Sequence, residues 1–254
     1  MNCKKLSKIN KKISNIAGFL ILIIAWEILA LLSKSPFIPH IHLLIKQEIK
    51  ILLDVKVYFS LLKTLFTVTC GVMISVCLGI IIAMSMAYSK VALEMITPIL
   101  EFLRHIPTIA LFPVFMALFG ISDFARITLI SMNSLPAIIL SSYHGIIEVD
   151  PSVIEAGKSD GASEAKILFR MKLPLAISEI LNGVRISIGN AFVAVVVAEM
   201  LGANDGLGFM IMWATNAFDY PSVYAYISIL SVLGILINKG FSLVIEKIEG
   251  VVYA

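Results

Sequence analysis

The chain reads as an all-α membrane protein with six transmembrane helices, and three observations predict this. Of its 254 residues, 59% are hydrophobic and 15% charged, against about 45–50% apolar and about 25% charged in a soluble domain. The mean hydropathy is +0.97, so the polar side chains are too few to cover the apolar ones in water. The apolar residues also fall in runs close to the ~20 residues a helix needs to cross ~30 Å of hydrocarbon.

Taken in order, Lys4, Lys5, Lys8, Lys11 and Lys12 make residues 1–12 a basic segment, which the positive-inside rule assigns to the cytoplasm. No small-residue cleavage site follows, so the first apolar run, Ile13–Leu32, is expected to remain as an anchor. It opens a transmembrane domain over residues 13–254. After it come Lys34, Lys46, Lys50 and Lys56, accompanied by Glu48 and Asp54. Ile45, Ile49, Leu52 and Leu53 interleave with them, which predicts an amphipathic helix lying on the outer surface.

The second span, Leu61–Tyr88, carries Gly71, Ser75, Gly79, Ala83 and Ala87 at every fourth position. Such a stripe lets backbones approach closely, within the chain or against a second subunit. Cys70 and Cys77 share a face there and read as packing residues. The third span, Ile106–Gly120, is short; Val91–His105 before it is an interfacial helix or its first half, and Pro107 and Pro113 bend or break the region. Phe124–Tyr143, Ile180–Gly202 and Val223–Ile245 complete the six. The fifth has two small-residue rows, Gly183, Ser187, Ala191 and Ala194, Ala198, Gly202. Six spans from an inside N-terminus put both termini, and the loop 148–176, in the cytoplasm.

That loop contains Gly157-Lys158-Ser159, the ending of a phosphate-binding loop. The fold of such a loop needs a glycine five residues earlier, where this chain has Ser152, and a preceding strand, where Val149-Asp150-Pro151 leaves a membrane span. No ATP site is expected in this chain. The residues instead predict two helices around a glycine. Asp150 is an N-cap and Pro151 a first helical residue; Ser152–Ser159 is helical, Gly161 turns, Ala162–Met171 resumes and Pro174 ends it. Ile154, Ile167, Leu168 and Met171 provide an apolar side suited to a groove on another protein.

Glu155-Ala156-Gly157, Gly161 and Met171-Lys172-Leu173-Pro174 resemble the EAA loop of permease subunits in bacterial ABC importers, whose pattern is E-A-A, three residues, G, nine residues, I-x-L-P. The spacing matches throughout. The chain departs at Gly157, where alanine is usual, and at Met171, where isoleucine is common. The resemblance extends to the nitrate, sulfonate and taurine branch through Trp26-Glu27, Leu103-Arg104-His105-Ile106-Pro107, Ala110-Leu111-Phe112-Pro113, Phe119-Gly120, Gly161-Ala162-Ser163, Gly183-Val184-Arg185, Ala198-Glu199-Met200 and Gly206-Leu207-Gly208.

The resemblance implies a type I importer permease fold, methionine-importer-like, with a cytoplasmic EAA coupling loop. It implies a bacterial inner-membrane assembly of two permeases, here with a second copy of this chain, and two ABC ATPase subunits that hold ATP and Mg. An extracellular or periplasmic solute-binding protein would deliver the substrate. The coupling role would fall on Glu155, Ala156, Gly157, Gly161, Ala162, Leu173 and Pro174.

Glu199, Asn133, Asn190 and Arg104 are candidates for the translocation path or gate, since ionisable and polar residues within spans face the bundle interior or a cavity. Arg104 and Arg185 also fit a simpler role, reaching from the cytoplasmic ends to lipid head groups. His40, His42, His105 and His144 lack metal-ligand spacing, and no nucleophile has a base beside it. The expected function is therefore transport without catalysis, with lipid as surroundings and no nucleic-acid partner. The solute is expected to be nitrate-, sulfonate- or taurine-like; thiamine-precursor pyrimidines and riboflavin are alternatives from the same branch. An ion-driven secondary transporter would show internal repeats with paired polar breaks, and the sequence shows none.

Overall fold

In the computed structural model of this chain the described residues are 3–33 and 35–252, with side chains described at 17, 18, 20–33 and 35–248. Lys34 lies outside the described residues, as do the side chains of Cys3, Lys4, Lys5, Lys8, Lys11 and Lys12. Every regular element among the described residues is helical. These are α1 (Cys3–Ser33), α2 (Ile41–Leu52), α3 (Val55–Tyr88), α4 (Lys90–His105), a 3₁₀ turn (Thr108–Leu111), α5 (Phe112–Phe119) and α6 (Asp123–Ile147). Next come α7 (Pro151–Ser159), α8 (Glu164–Ile167), a π turn (Leu168–Lys172), α9 (Leu173–Leu175), α10 (Ile177–Gly202), α11 (Leu207–Asn216) and α12 (Tyr220–Val252).

By backbone contacts the chain divides into two compact units, residues 1–57 with 211–229, and residues 58–210 with 230–254. In the first, α1 positions α2. The Trp26 indole N–H donates to the Pro39 carbonyl at 3.0 Å, and its ring meets Tyr224 edge-on at 5.1 Å. Glu27 accepts from the Ile41 N–H at 3.0 Å and pairs with His40 Nδ1 at 2.9 Å. It thereby caps a helix whose own N-cap residue, His40, makes no side-chain cap bond. Gln47 and Glu48 of α2 turn toward α12, bonding the Ser222 and Ser228 hydroxyls at 2.7 Å each. Ile45, Ile49, Leu52 and Leu53 are left exposed beside Lys46 and Lys50. The predicted amphipathic helix therefore exists with its apolar side turned outward.

The second unit is built on α3, α6 and α10. Of the two readings of the α3 stripe, packing within the chain is the one seen: Gly71, Ser75, Gly79 and Ala83 are buried and Ala87 is half-buried. Serines tie the three helices. Ser75 Oγ bonds the Ser131 carbonyl at 2.9 Å, and Ser131 Oγ bonds the Gly71 carbonyl at 3.1 Å. Ser187 and Ser134 exchange hydroxyl-to-carbonyl bonds at 3.0 and 3.3 Å across α10 and α6. Each hydroxyl thus satisfies a backbone acceptor where no water can.

Among the described residues four helices are long and apolar enough to cross a bilayer, α3, α6, α10 and Tyr220–Ile248 of α12, or five if the bent pair Lys90–His105 and Thr108–Phe119 is one span. Leu20–Ser33 of α1 is a shorter apolar stretch. The region Ile106–Gly120 is not the single straight span expected. α4 and the segment Thr108–Phe119 meet at 85°, because Ile106, preceding a proline, is held extended at φ −73°, ψ 131°. Pro107 makes this break. Pro113 does not, since it lies in the first turn of α5, where no N–H is missed. At eight residues, α5 rises only about 12 Å and cannot cross alone.

A Cβ added at Gly79 would lie 2.6 Å from Ile138 Cγ2. Gly79→Val is expected to force α3 away from α6 and lower stability by about 1–3 kcal/mol, read as an earlier thermal transition in detergent. An unchanged transition would refute this packing.

Candidate functional site

Three places hold the residues singled out above: the stretch between α6 and α10, a cavity beside the Pro107 break, and the far end of α10. In the first, Asp150 caps α7 by accepting from the Ser152 N–H at 2.8 Å. That backbone bond, with a second from the Ser152 side chain, holds the exposed carboxyl below its usual value of 3.8. A lowered carboxyl pKa makes the cap fully present above 3.8 and lost as pH falls through the lowered value. Ser163 caps α8 by accepting from the Lys166 N–H at 3.3 Å. Between them Gly161 has φ +74°, a left-handed turn that costs other residues about 1–2 kcal/mol.

Glu155 and Ala156 are exposed on α7, whereas Gly157 is its buried residue. Ala162 and Leu173 are half-buried, and Pro174 is exposed. Two expectations fail here. Ile167 and Leu168 are only 2% and 6% exposed and offer nothing to a partner. Leu168 roots the stretch in the chain's own core with Ala83, Ile146 and Ile180, and Ile167 lies against Gly157, its Cγ1 3.6 Å from where a Cβ there would stand. Nor does Pro174 end the helix. In the π turn the Leu173 N–H reaches back five residues to the Leu168 carbonyl. This widening relieves the clash and the lost bond a proline brings, so helix continues through α9 and resumes in α10 after Ala176.

Arg104, Asn133 and Asn190, far apart in sequence, line one cavity of about 530 Å³ with Thr108, Ser141 and Ile186. Asn133 Nδ2 donates to the Asn190 carbonyl at 3.0 Å, and Arg104 and Asn190 are exposed while Asn133 is half-buried. Arg104 is the one charged residue in the lining. A second, larger cavity of about 900 Å³ runs along α10 and α12. Arg185 lines it, its Nε–H bonded to Asn238 Oδ1 at 3.0 Å.

Glu199, the fourth path candidate, is not with the others. It is fully buried. Its carboxylate accepts the Gly208 N–H at 2.8 Å and the Thr64 hydroxyl at 2.9 Å, while Thr64 Oγ1 itself accepts the Leu207 N–H at 2.9 Å. Gly206 passes at φ +96°, and a Cβ there would overlap the carboxylate. Beside this knot, Arg126 pairs with Asp123 and, at 2.6 Å, with Asp205; Lys63 pairs with Asp123 at 2.5 Å. Sequence reasoning missed Lys63, Thr64, Asp123, Arg126 and Asp205. The available signal was the Asp123–Arg126 pair at i, i+3 opening an apolar span. Among the described residues no group of three His, Cys, Asp or Glu could hold a metal ion, and Cys70 and Cys77 are free thiols.

Known proteins are similar to this chain in sequence and in fold. The model of the family "binding-protein-dependent transport system inner membrane component" matches residues 75–248. The formylaminopyrimidine transport permease protein ThiX of Halalkalibacterium halodurans is 30% identical over 233 residues, 92% of each chain. The taurine transport system permease protein TauC of Escherichia coli is 29% identical over 226 residues, 87% of this chain and 82% of that one. Among solved structures, a chain of the inward-facing MetNI methionine ABC transporter shares the fold at TM-score 0.66 and 18% identity, over 73% of this chain and 92% of that one.

Glu199→Ala removes the acceptor of the buried Gly208 N–H; Thr64 retains the Ser60 carbonyl at 3.1 Å as a fallback. The variant is expected to lose about 1–3 kcal/mol. Glu199→Gln keeps an acceptor oxygen and should lose under about 1 kcal/mol. Equal thermal transitions of both variants and wild type in detergent would contradict this assignment.

Proposed function

The chain belongs to the family of binding-protein-dependent transport system inner membrane components, and from that premise we propose how it carries out its transport. It is the membrane permease subunit of an ABC importer, and ATP hydrolysis belongs to a separate ATPase subunit. In the proposed reading, two copies of this chain enclose the pore, both termini face the cytoplasm, and α7 docks in the ATPase. Glu155 and Ala156 are the contact surface. Gly161 lets α7 fold back, and Leu173 and Pro174 carry its displacement toward α10. The exposure of Glu155 and Ala156 on a capped helix, with Gly157 buried behind them, supports this.

The translocation path runs along the cavity of Arg104, Asn133 and Asn190. One observation carries this: three residues nominated from sequence for polarity near or within spans converge on one cavity, although a bilayer penalises Asn133 and Asn190 within their spans. The cavity's single cation, with amides and hydroxyls around it, suits a small anionic or zwitterionic solute such as a sulfonate or taurine. A pyrimidine is the second reading. The similarity to a formylaminopyrimidine permease favours it, as do the uncharged donors and acceptors of Thr108, Asn133, Ser141 and Asn190 in the lining.

Two experiments test this. In a chain with Cys3, Cys70 and Cys77 changed to serine, Asn133→Cys and Asn190→Cys should react with a membrane-impermeant charged thiol reagent in the assembled transporter, at rates at least tenfold above a cysteine placed at Leu118. Equal rates would remove the path from this cavity. For the docking helix, the ATPase subunit should co-purify with wild type and be lost from a Glu155→Lys, Gly161→Asp double variant. Equal capture of both would move the contact elsewhere.

A further inference from the structure

The two positions at which the coupling stretch departs from its family pattern touch each other. A Cβ added at Gly157 would lie 2.6 Å from Met171 Sδ and 3.0 Å from Met171 Cε. The thioether of Met171 therefore occupies the space an alanine methyl would take. Methionine has as many side-chain heavy atoms as isoleucine but reaches one atom further, and its unbranched chain bends into irregular gaps. The smaller residue and the longer one are complementary.

Other features show why this contact matters. α7 packs on α8, and the turn between them rests on the Ala162 N–H to Gly157 carbonyl bond at 3.0 Å and on Gly161. The Lys158–Glu164 pair, 57% and 74% exposed at its side chains, adds little holding force in water. Met171 belongs to the π turn, in which Leu168, like Ile167 just before it, is rooted in the core. The extra residue of that turn rotates the residues after it by about 100° relative to an α-helix, and so sets where the Met171 side chain points.

We infer that Gly157 and Met171 form a size-matched knob and notch that fixes the angle of α7 on the base of α10. Met171 is thus a positioning residue: it sets how ATPase movement reaches the membrane helices without itself contacting the ATPase. This rests on the docking reading above, and the test separates the two. The complex of this chain with its ATPase subunit is reconstituted in proteoliposomes, and ATP hydrolysis is measured with and without the binding protein. Met171→Ala should lower the stimulated-to-unstimulated ratio at least fivefold while ATPase capture stays within twofold of wild type. Gly157→Ala should lower the ratio too, and adding Met171→Ile to it should restore the ratio to within twofold. The inference is overturned if Met171→Ala keeps the wild-type ratio or loses the ATPase, or if the double variant is no better than Gly157→Ala. Failure of wild type to capture the ATPase would overturn the docking reading and this inference with it.

Discussion

Hydrocarbon offers no hydrogen bonds, so every polar group a span carries must find its partner inside the protein. Glu199 is where this constraint bears hardest. Its carboxylate is buried at the end of α10, and the groups that satisfy it come from α3 and from the first turn of α11. Satisfying one acid therefore fixes three chain segments. The bond from Leu207 N–H to Thr64 closes the same knot from the other side, and the adjoining pairs of Lys63 and Arg126 with Asp123 and Asp205 bring in α6. Glu199, Thr64 and Arg126 are buried, so losing the partner of any of these three leaves a polar group unpaired out of reach of water, whereas Lys63, Asp123 and Asp205 keep part of their side chains exposed.

The opposite end of α10 is built differently. There the chain is held by apolar packing of Ile167, Leu168, Ala176 and Ile180, by a glycine turn and by a methionine in a notch. Apolar contacts are non-directional and methionine is compliant, whereas charge-assisted hydrogen bonds are short and oriented. One end of the helix resists displacement and the other accommodates it. That asymmetry suits a subunit that receives force on one side of the membrane only.

Much of this was legible in the sequence because it depends on local rules. Asp150 and Pro151 start α7 as an N-cap and a first helical residue must, and the positive φ of Gly161 answers the need for a turn there. The four-residue stripe of α3 marked its buried side. What escaped detection depends on partners distant in sequence. Nothing local indicates that Glu199 faces Thr64, 135 positions away, so its polarity within a span could nominate it for the path but could not reveal the buried bonds that tie α10 to α3 and α11. Pro174 misled for a related reason. Its effect on the helix is set by the π turn before it, and no sequence signal distinguishes that turn from ordinary α-helix.

Asn190 lies between the fastened and the compliant ends, and the helix geometry scales what it feels. From Ile177 to Glu199, α10 rises about 33 Å, and Asn190 lies about 13 Å from Glu199. If α10 moves as a rigid rod pivoting at the Glu199 knot, a displacement of about 3 Å at its base becomes about 1 Å at Asn190. That is enough to break the 3.0 Å bond to Asn133, since hydrogen bonds lose most of their strength by about 3.5–4 Å. An intact α10 is the condition for this conversion. The serine pair Ser134–Ser187, about one turn from Asn190 on the way to the base, must then slide or break with it. The coupling motion proposed for α7 is therefore opposed by the Asn133–Asn190 bond at the cavity and by the fully buried serine pair, and a small solute that replaced the first of these would favour the displaced state.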